Sequence, residues 1–221
     1  MVAGVLLGSV QLLIMKASVA PVVLAGAIGL LRWRQLPRTL RYLVALTAMT
    51  LFTEAVSRLL WWQHRPNLFL QPIYAVGEFG LLVLLYREEL RSAAFARVAP
   101  WLVGGFGLYI LTASLLTADL AALGSTLRVV ESMLVLGILG LYFRKLLNEL
   151  AVEHLEREPM FWVSLGLLLY FLGDVHIFLF SNFLFLNYSK QFNMTVWAIH
   201  AVLYMVLYCC ISLALWLPRK K

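Results

Sequence analysis

The 221-residue chain is 62% hydrophobic and 13% charged, where a soluble domain is about half apolar and a quarter charged, so an ordinary water-soluble fold is excluded. Its net charge of +7 sits in short segments beside apolar blocks, with no basic stripe interleaved with aromatics, which excludes a nucleic-acid surface. The two cysteines, Cys209 and Cys210, are neighbours; on a helix they point about 100° apart and do not bridge.

The apolar blocks are long enough for spans of about 20 residues. They are apolar all round rather than alternating, so they read as helices and not as barrel strands. Block one, 11–31, follows no basic leader and is read as retained, with a kink near Pro21. Block two, 40–62, carries one stripe of Thr47, Thr50, Glu54, Arg58 and Trp61. Block three, 68–86, aligns Gln71, Tyr74 and Glu78. Block four, 98–117, has no ionisable residue, so it is expected to face lipid or a partner subunit. Its Gly104, Gly105 and Gly107, with Gly137 and Gly140 of block five, are expected to permit close helix packing. Block five, 121–143, holds Arg128 and Glu131 at i, i+3. Block six, 160–182, contains the stretch YFLGDVHIFLF with Asp174 and His176. Block seven, 194–217, aligns Trp197, His200 and Tyr204. The expected architecture is an all-α membrane protein, one seven-transmembrane-helix bundle over 1–221.

Lys and Arg set the orientation. Thirteen lie between blocks one and two, three and four, five and six, or in the tail, against three (Lys16, Arg65 and Lys190) on the other side. This asymmetry predicts an outer N-terminus and a cytoplasmic C-terminus.

Ionisable residues inside spans are expensive and by default mark function. Glu54, Arg58, Glu78, Arg128, Glu131, Asp174 and His200 fall at similar depths, in the outer half or near the midplane, at about 1.5 Å per residue. With Gln71 and Tyr74 they are the candidate ligand-binding set. Four acids against two arginines leave two surplus negative charges if the histidines are neutral, a balance that a cation or protonation would restore. Asp174 and His176 stand about 200° apart on a straight helix. Either Gly173 distorts the helix or one of the two faces elsewhere; Asp174 is expected to be the inward one.

The order of an outer N-terminus and seven helices resembles the microbial rhodopsin plan, but block seven has no lysine for a retinal Schiff base. The stretches NLFLQPIYAVGEFGLLVLLYRE, FWVSLGLLLYFLGDVHIFLFSN and WAIHAVLYMVLYCCISLALW resemble uncharacterised bacterial seven-helix membrane proteins. That resemblance implies a bacterial inner-membrane location and no activity. The leading expectation is a sensory or receptor-like module in the lipid bilayer that takes a small ligand, cation or proton from outside. Its cytoplasmic protein partner would meet the Arg-rich first loop or the mixed-charge run RKLLNELAVEHLEREP. The alternatives are an intramembrane metal- or haem-dependent enzyme using His176, His200, Asp174 and Glu131, a proton path or transporter, and a scaffold whose ion pairs are structural.

Overall fold

The computed structural model describes residues 2–116, 120–149 and 155–217. It is 90% helix, with no strand among the described residues. In chain order the helices are α1 (Val2–Ala17), α2 (Val19–Arg32), α3 (Arg38–Trp62), α4 (Leu70–Leu90), α5 (Ala93–Leu116), α6 (Leu120–Glu149), α7 (Pro159–Asn187) and α8 (Lys190–Trp216). A single 3₁₀ turn, Leu155–Arg157, precedes α7. Residues 150–154, in the run proposed to meet a partner, lie outside the described residues.

Six stretches are long and apolar enough to cross a membrane: Gly8–Arg32, which joins α1 to α2, and the greater part of α3, α5, α6, α7 and α8. The 21-residue α4 is not among them. Gln71, Pro72, Glu78 and Arg87 dilute its apolar run. It is nevertheless central, packed against α3, α5 and α6, with Phe79, Leu82, Val83, Leu85 and Tyr86 buried.

The first span breaks at Ser18, as the proline predicts. Pro21 has no N–H to give the Ala17 carbonyl. The Ser18 N–H instead closes the last turn of α1 on the Ile14 carbonyl at 3.1 Å, and its hydroxyl donates to the Met15 carbonyl at 2.8 Å.

The turn between α7 and α8 is shorter than expected. The apolar run Phe183–Leu186 continues α7 to Asn187, and Ser189 caps α8 by accepting the Phe192 N–H at 3.3 Å. A Ser N-cap satisfies one of the orphan donors of the first turn, which is why α8 starts before block seven does. Lys190, at its first residue, is exposed.

Basic residues seal two helix ends. The Arg32 guanidinium donates to the carbonyls of Leu215 and Trp216 at the end of α8. The Lys145 ammonium donates to Glu89 and Leu90 at the end of α4, at 3.0 and 3.1 Å. Cations at a helix C-terminus satisfy leftover carbonyls and complement the dipole.

The close helix approaches are made by other glycines than those expected. Gly104, Gly105, Gly107, Gly137 and Gly140 face open space, with nothing within 4 Å of an added Cβ. They lie on the outer faces of α5 and α6, and α5 is the least buried span. Close packing falls instead to Gly26 and Gly29 against α3, and to Gly166 and Gly173 against α8. A Cβ on Gly166 would stand 2.9 Å from the Cys210 Cβ and 3.4 Å from the Leu207 Cα. Gly166→Ala is therefore expected to destabilise the protein by about 1–3 kcal/mol, and Gly107→Ala to leave it unchanged or slightly firmer. Thermal unfolding in detergent measures both; equal behaviour would contradict the packing described.

Candidate functional site

The cluster is built from the middle of five helices. Arg128, just over two turns into α6, is held between two acids. Its Nη1 lies 2.7 Å from Glu78 Oε2 on α4 and 3.0 Å from Glu131 Oε2 on its own helix. Both carboxylates are buried, Glu131 at 0% exposure. Tyr74 donates its hydroxyl to Glu78 Oε1 at 3.1 Å, and its ring lies under the Arg128 guanidinium, 5.7 Å from ring centroid to Cζ.

A second pair lies beside this one. Asp174 on α7 is fully buried and its Oδ1 is 2.7 Å from His200 Nε2 on α8. Tyr170, Trp197 and Phe178 surround the imidazole, with ring centroids 5.5, 5.7 and 6.0 Å away. Gly173 helps to set this pair. The Leu203 side chain of α8 occupies the place a Cβ on Gly173 would take, so α7 and α8 run close where the two side chains meet. Arg128 and His200, one from each pair, line the same cavity.

Hydroxyls extend the network. The Tyr208 hydroxyl of α8 donates to Thr50 Oγ1 of α3 at 2.9 Å, and Thr50 Oγ1 lies 3.1 Å from the Tyr74 hydroxyl. A continuous polar path thus links α8, α3, α4 and α6. Two buried carboxylate oxygens of the cluster have no hydrogen-bond partner among the described residues, Glu131 Oε1 and Asp174 Oδ2.

A cavity of about 430 Å³ adjoins the cluster. Its wall carries Arg128, His200, Tyr74, Tyr170, Tyr204 and Gln71, with Glu54, Thr53, Ser57 and Trp197 further along it. Gln71 donates to the Gly124 carbonyl at 3.4 Å and packs directly on that glycine. The Asn67 amide donates to the Ser57 hydroxyl at 2.7 Å where α3 turns toward α4. Met15 and Ser18, at the break in the first span, complete the lining. Glu78, Glu131 and Asp174 are not on the wall. They stand behind Arg128, His200 and Tyr74, which are.

Of the candidate set, Gln71, Tyr74, Glu78, Arg128, Glu131, Asp174 and His200 are brought together. Glu54 lines the cavity, half-exposed. Arg58 does not line it. Its Nε stands 3.7 Å from Glu54 Oε2 with the guanidinium largely exposed, and Trp61 is exposed too, so the stripe on α3 enters the bundle only as far as Glu54. The helix α7 is continuous through Gly173. Asp174 points inward and His176 points out, its Nδ1 2.7 Å from its own Leu172 carbonyl. His176 is therefore apart from the other candidate metal ligands. Among the described residues no three His, Cys, Asp or Glu side chains are placed to hold one metal ion.

Sequence reasoning passed over Thr50 and Tyr208 as a bonded pair, and Thr53, Ser57 and Asn67 as lining. The available signal was hydroxyls at helical spacing within apolar runs. Gln11 was missed as well: it is buried in α1 and donates to Thr195 of α8 at 2.7 Å.

No protein-family model, curated protein or solved structure matches this chain. The helices and their apolar surfaces define a multi-pass helical membrane protein.

Proposed function

We propose that this protein is a receptor-like membrane module whose cavity takes a cation, a proton or a small ligand carrying positive charge. In this reading α4 also spans, giving seven spans with the N-terminus outside, in a bacterial cytoplasmic membrane. The alternation of helix ends and the thirteen-to-three division of basic residues support that orientation. The cavity then opens on the outer side.

One observation carries the choice of ligand. The cavity-lining Arg128, His200 and Tyr74 are the groups that hold Glu78, Glu131 and Asp174. Three buried carboxylates face one guanidinium, leaving two surplus negative charges when His200 is neutral and one when it is protonated. Buried charge without a counter-charge is unfavourable, so an added positive charge is favoured over an anion. Four aromatic side chains on the wall, Tyr74, Tyr170, Tyr204 and Trp197, suit an organic cation. Occupancy would act on contacts shared by α3, α4, α6, α7 and α8, and so bias their packing.

The test is a stability titration of the full chain in nanodiscs with alkali cations, small primary amines and quaternary ammonium ions, repeated from pH 5 to 8. A true ligand at about 100 times its Kd raises stability by about 2.7 kcal/mol. Tyr204→Phe and Glu54→Gln, both on the wall, should weaken that response without unfolding the protein. A wild-type protein indifferent to every cation and to pH would end the proposal.

A further inference from the structure

At the opposite end of the bundle a second cavity, about 510 Å³, is lined by Arg38, Arg87, Arg91, Glu88 and Ser92. It lies where α3 begins, α4 ends and α5 begins. The α4–α5 connection is only Arg91 and Ser92, and Arg91 takes a left-handed conformation, φ 48° and ψ 30°. That turn brings Arg91 to the same hollow as Arg87 of the preceding helical turn and Arg38 at the start of α3.

Three guanidiniums against one carboxylate give this hollow two net positive charges. Among the described residues none of the three arginines has an ion-pair partner. Three other basic residues at this end are engaged: Arg32 and Lys145 with helix carbonyls, and Arg41 with the Leu36 carbonyl and the Trp33 ring. Like charges gathered in a concave site repel unless an anion joins them. The backbone adds to the demand. The first turns of α3 and α5 both reach this hollow, neither carries an acidic residue, and α3 has no side-chain cap on its first N–H groups. Free N–H groups at a helix start favour anions, phosphate above all. Guanidinium forks match phosphate oxygens two by two. Exposed Trp101 on α5 and half-exposed Trp33 put this end at the level of lipid headgroups.

We propose that the Arg38–Arg87–Arg91 cavity is a phosphate-binding site, filled by the headgroup of an anionic lipid or by a soluble phosphorylated compound. It does not depend on the reading of the other cavity. The topology signal alone offers a competing account, since arginines there are expected whatever they bind. But topology counts charges, whereas phosphate binding needs these three in this place.

The experiment therefore compares two triple variants of equal charge loss. One is Arg38→Gln, Arg87→Gln, Arg91→Gln. The other removes three arginines outside the cavity, Arg34→Gln, Arg97→Gln, Arg144→Gln. Native mass spectrometry of the detergent-solubilised full chain counts retained phosphatidylglycerol and cardiolipin against phosphatidylcholine. Calorimetry with inorganic pyrophosphate supplies the second arm. The cavity variant should lose at least tenfold in affinity for one or both probes, and the control variant less than threefold. Arg→Lys at the three cavity positions should fall between, because charge remains while the fork is lost. Loss in the lipid arm alone assigns a headgroup; loss in the pyrophosphate arm, with or without the lipid arm, assigns a soluble phosphate. Equal losses in the two triple variants, or no binding of either probe by wild type, overturn the site. A thermal melt of each variant checks folding; a cavity variant that fails to fold is replaced by the single Arg87→Gln and Arg91→Gln changes, whose side chains are exposed, with the same criteria.

Discussion

Arg128→Met is expected to destabilise the protein by about 3–5 kcal/mol, the usual result of removing one partner from a buried ion pair. A single nitrogen of Arg128 serves both Glu78 and Glu131. Without it Glu78 keeps only Tyr74, and Glu131 keeps nothing, since its other oxygen already lacks a partner. The remaining acids would repel one another in a low dielectric. The loss should therefore be largely a penalty of stranded charge. Adding Glu78→Leu and Glu131→Leu to Arg128→Met should return most of the stability, because an apolar triad of similar volume is often neutral or better. Unfolding in one detergent at neutral pH measures the series. A single variant within about 1 kcal/mol of wild type would mean that Arg128 does not hold the two acids together.

His200→Leu should have the second-largest effect, about 3 kcal/mol or more. Asp174 would then be fully buried with neither oxygen partnered. Asp174→Asn should be milder, since it removes the charge and keeps a polar group toward the imidazole. The double change His200→Leu, Asp174→Leu should recover stability. It should not recover the response to cations, because His200 also forms part of the cavity wall. That split separates a pair that only braces the fold from one that also meets a ligand. Recovery of both stability and response would leave His200 as a brace alone. Arg128 and His200 share one cavity wall, so changes at the two places should be non-additive by about 0.5–3 kcal/mol.

The helices were legible because lipid forces one solution: an apolar run of sufficient length must satisfy its own backbone. The kink at Pro21 and the inward Asp174 were legible for equally local reasons, a missing N–H and a fixed angle per residue. What could not be read was which face meets which helix. Gly107 and Gly166 look alike in sequence, yet one faces open space and the other touches α8. Arg58 and Arg128 each have an acid at helical spacing, but only α4 decides that Arg128 is held inside the bundle, by bringing Glu78 to it. His176 fails as a partner of Asp174 for the same geometric reason that favoured Asp174. The order of layers, Arg128 and His200 in front and the acids behind, depends on four helices at once and leaves no trace in any one segment.

The break at Ser18 gives the first span two levers on one pivot. Beyond the pivot α1 leans chiefly on α8, while α2 is clamped between α3 and α8. Met15 and Ser18 stand in the cavity wall, so an occupant of the proposed site would press on the joint itself. Tilting α1 then strains the hydrogen bonds of one turn, where an unbroken 25-residue rod would have to bend along its length.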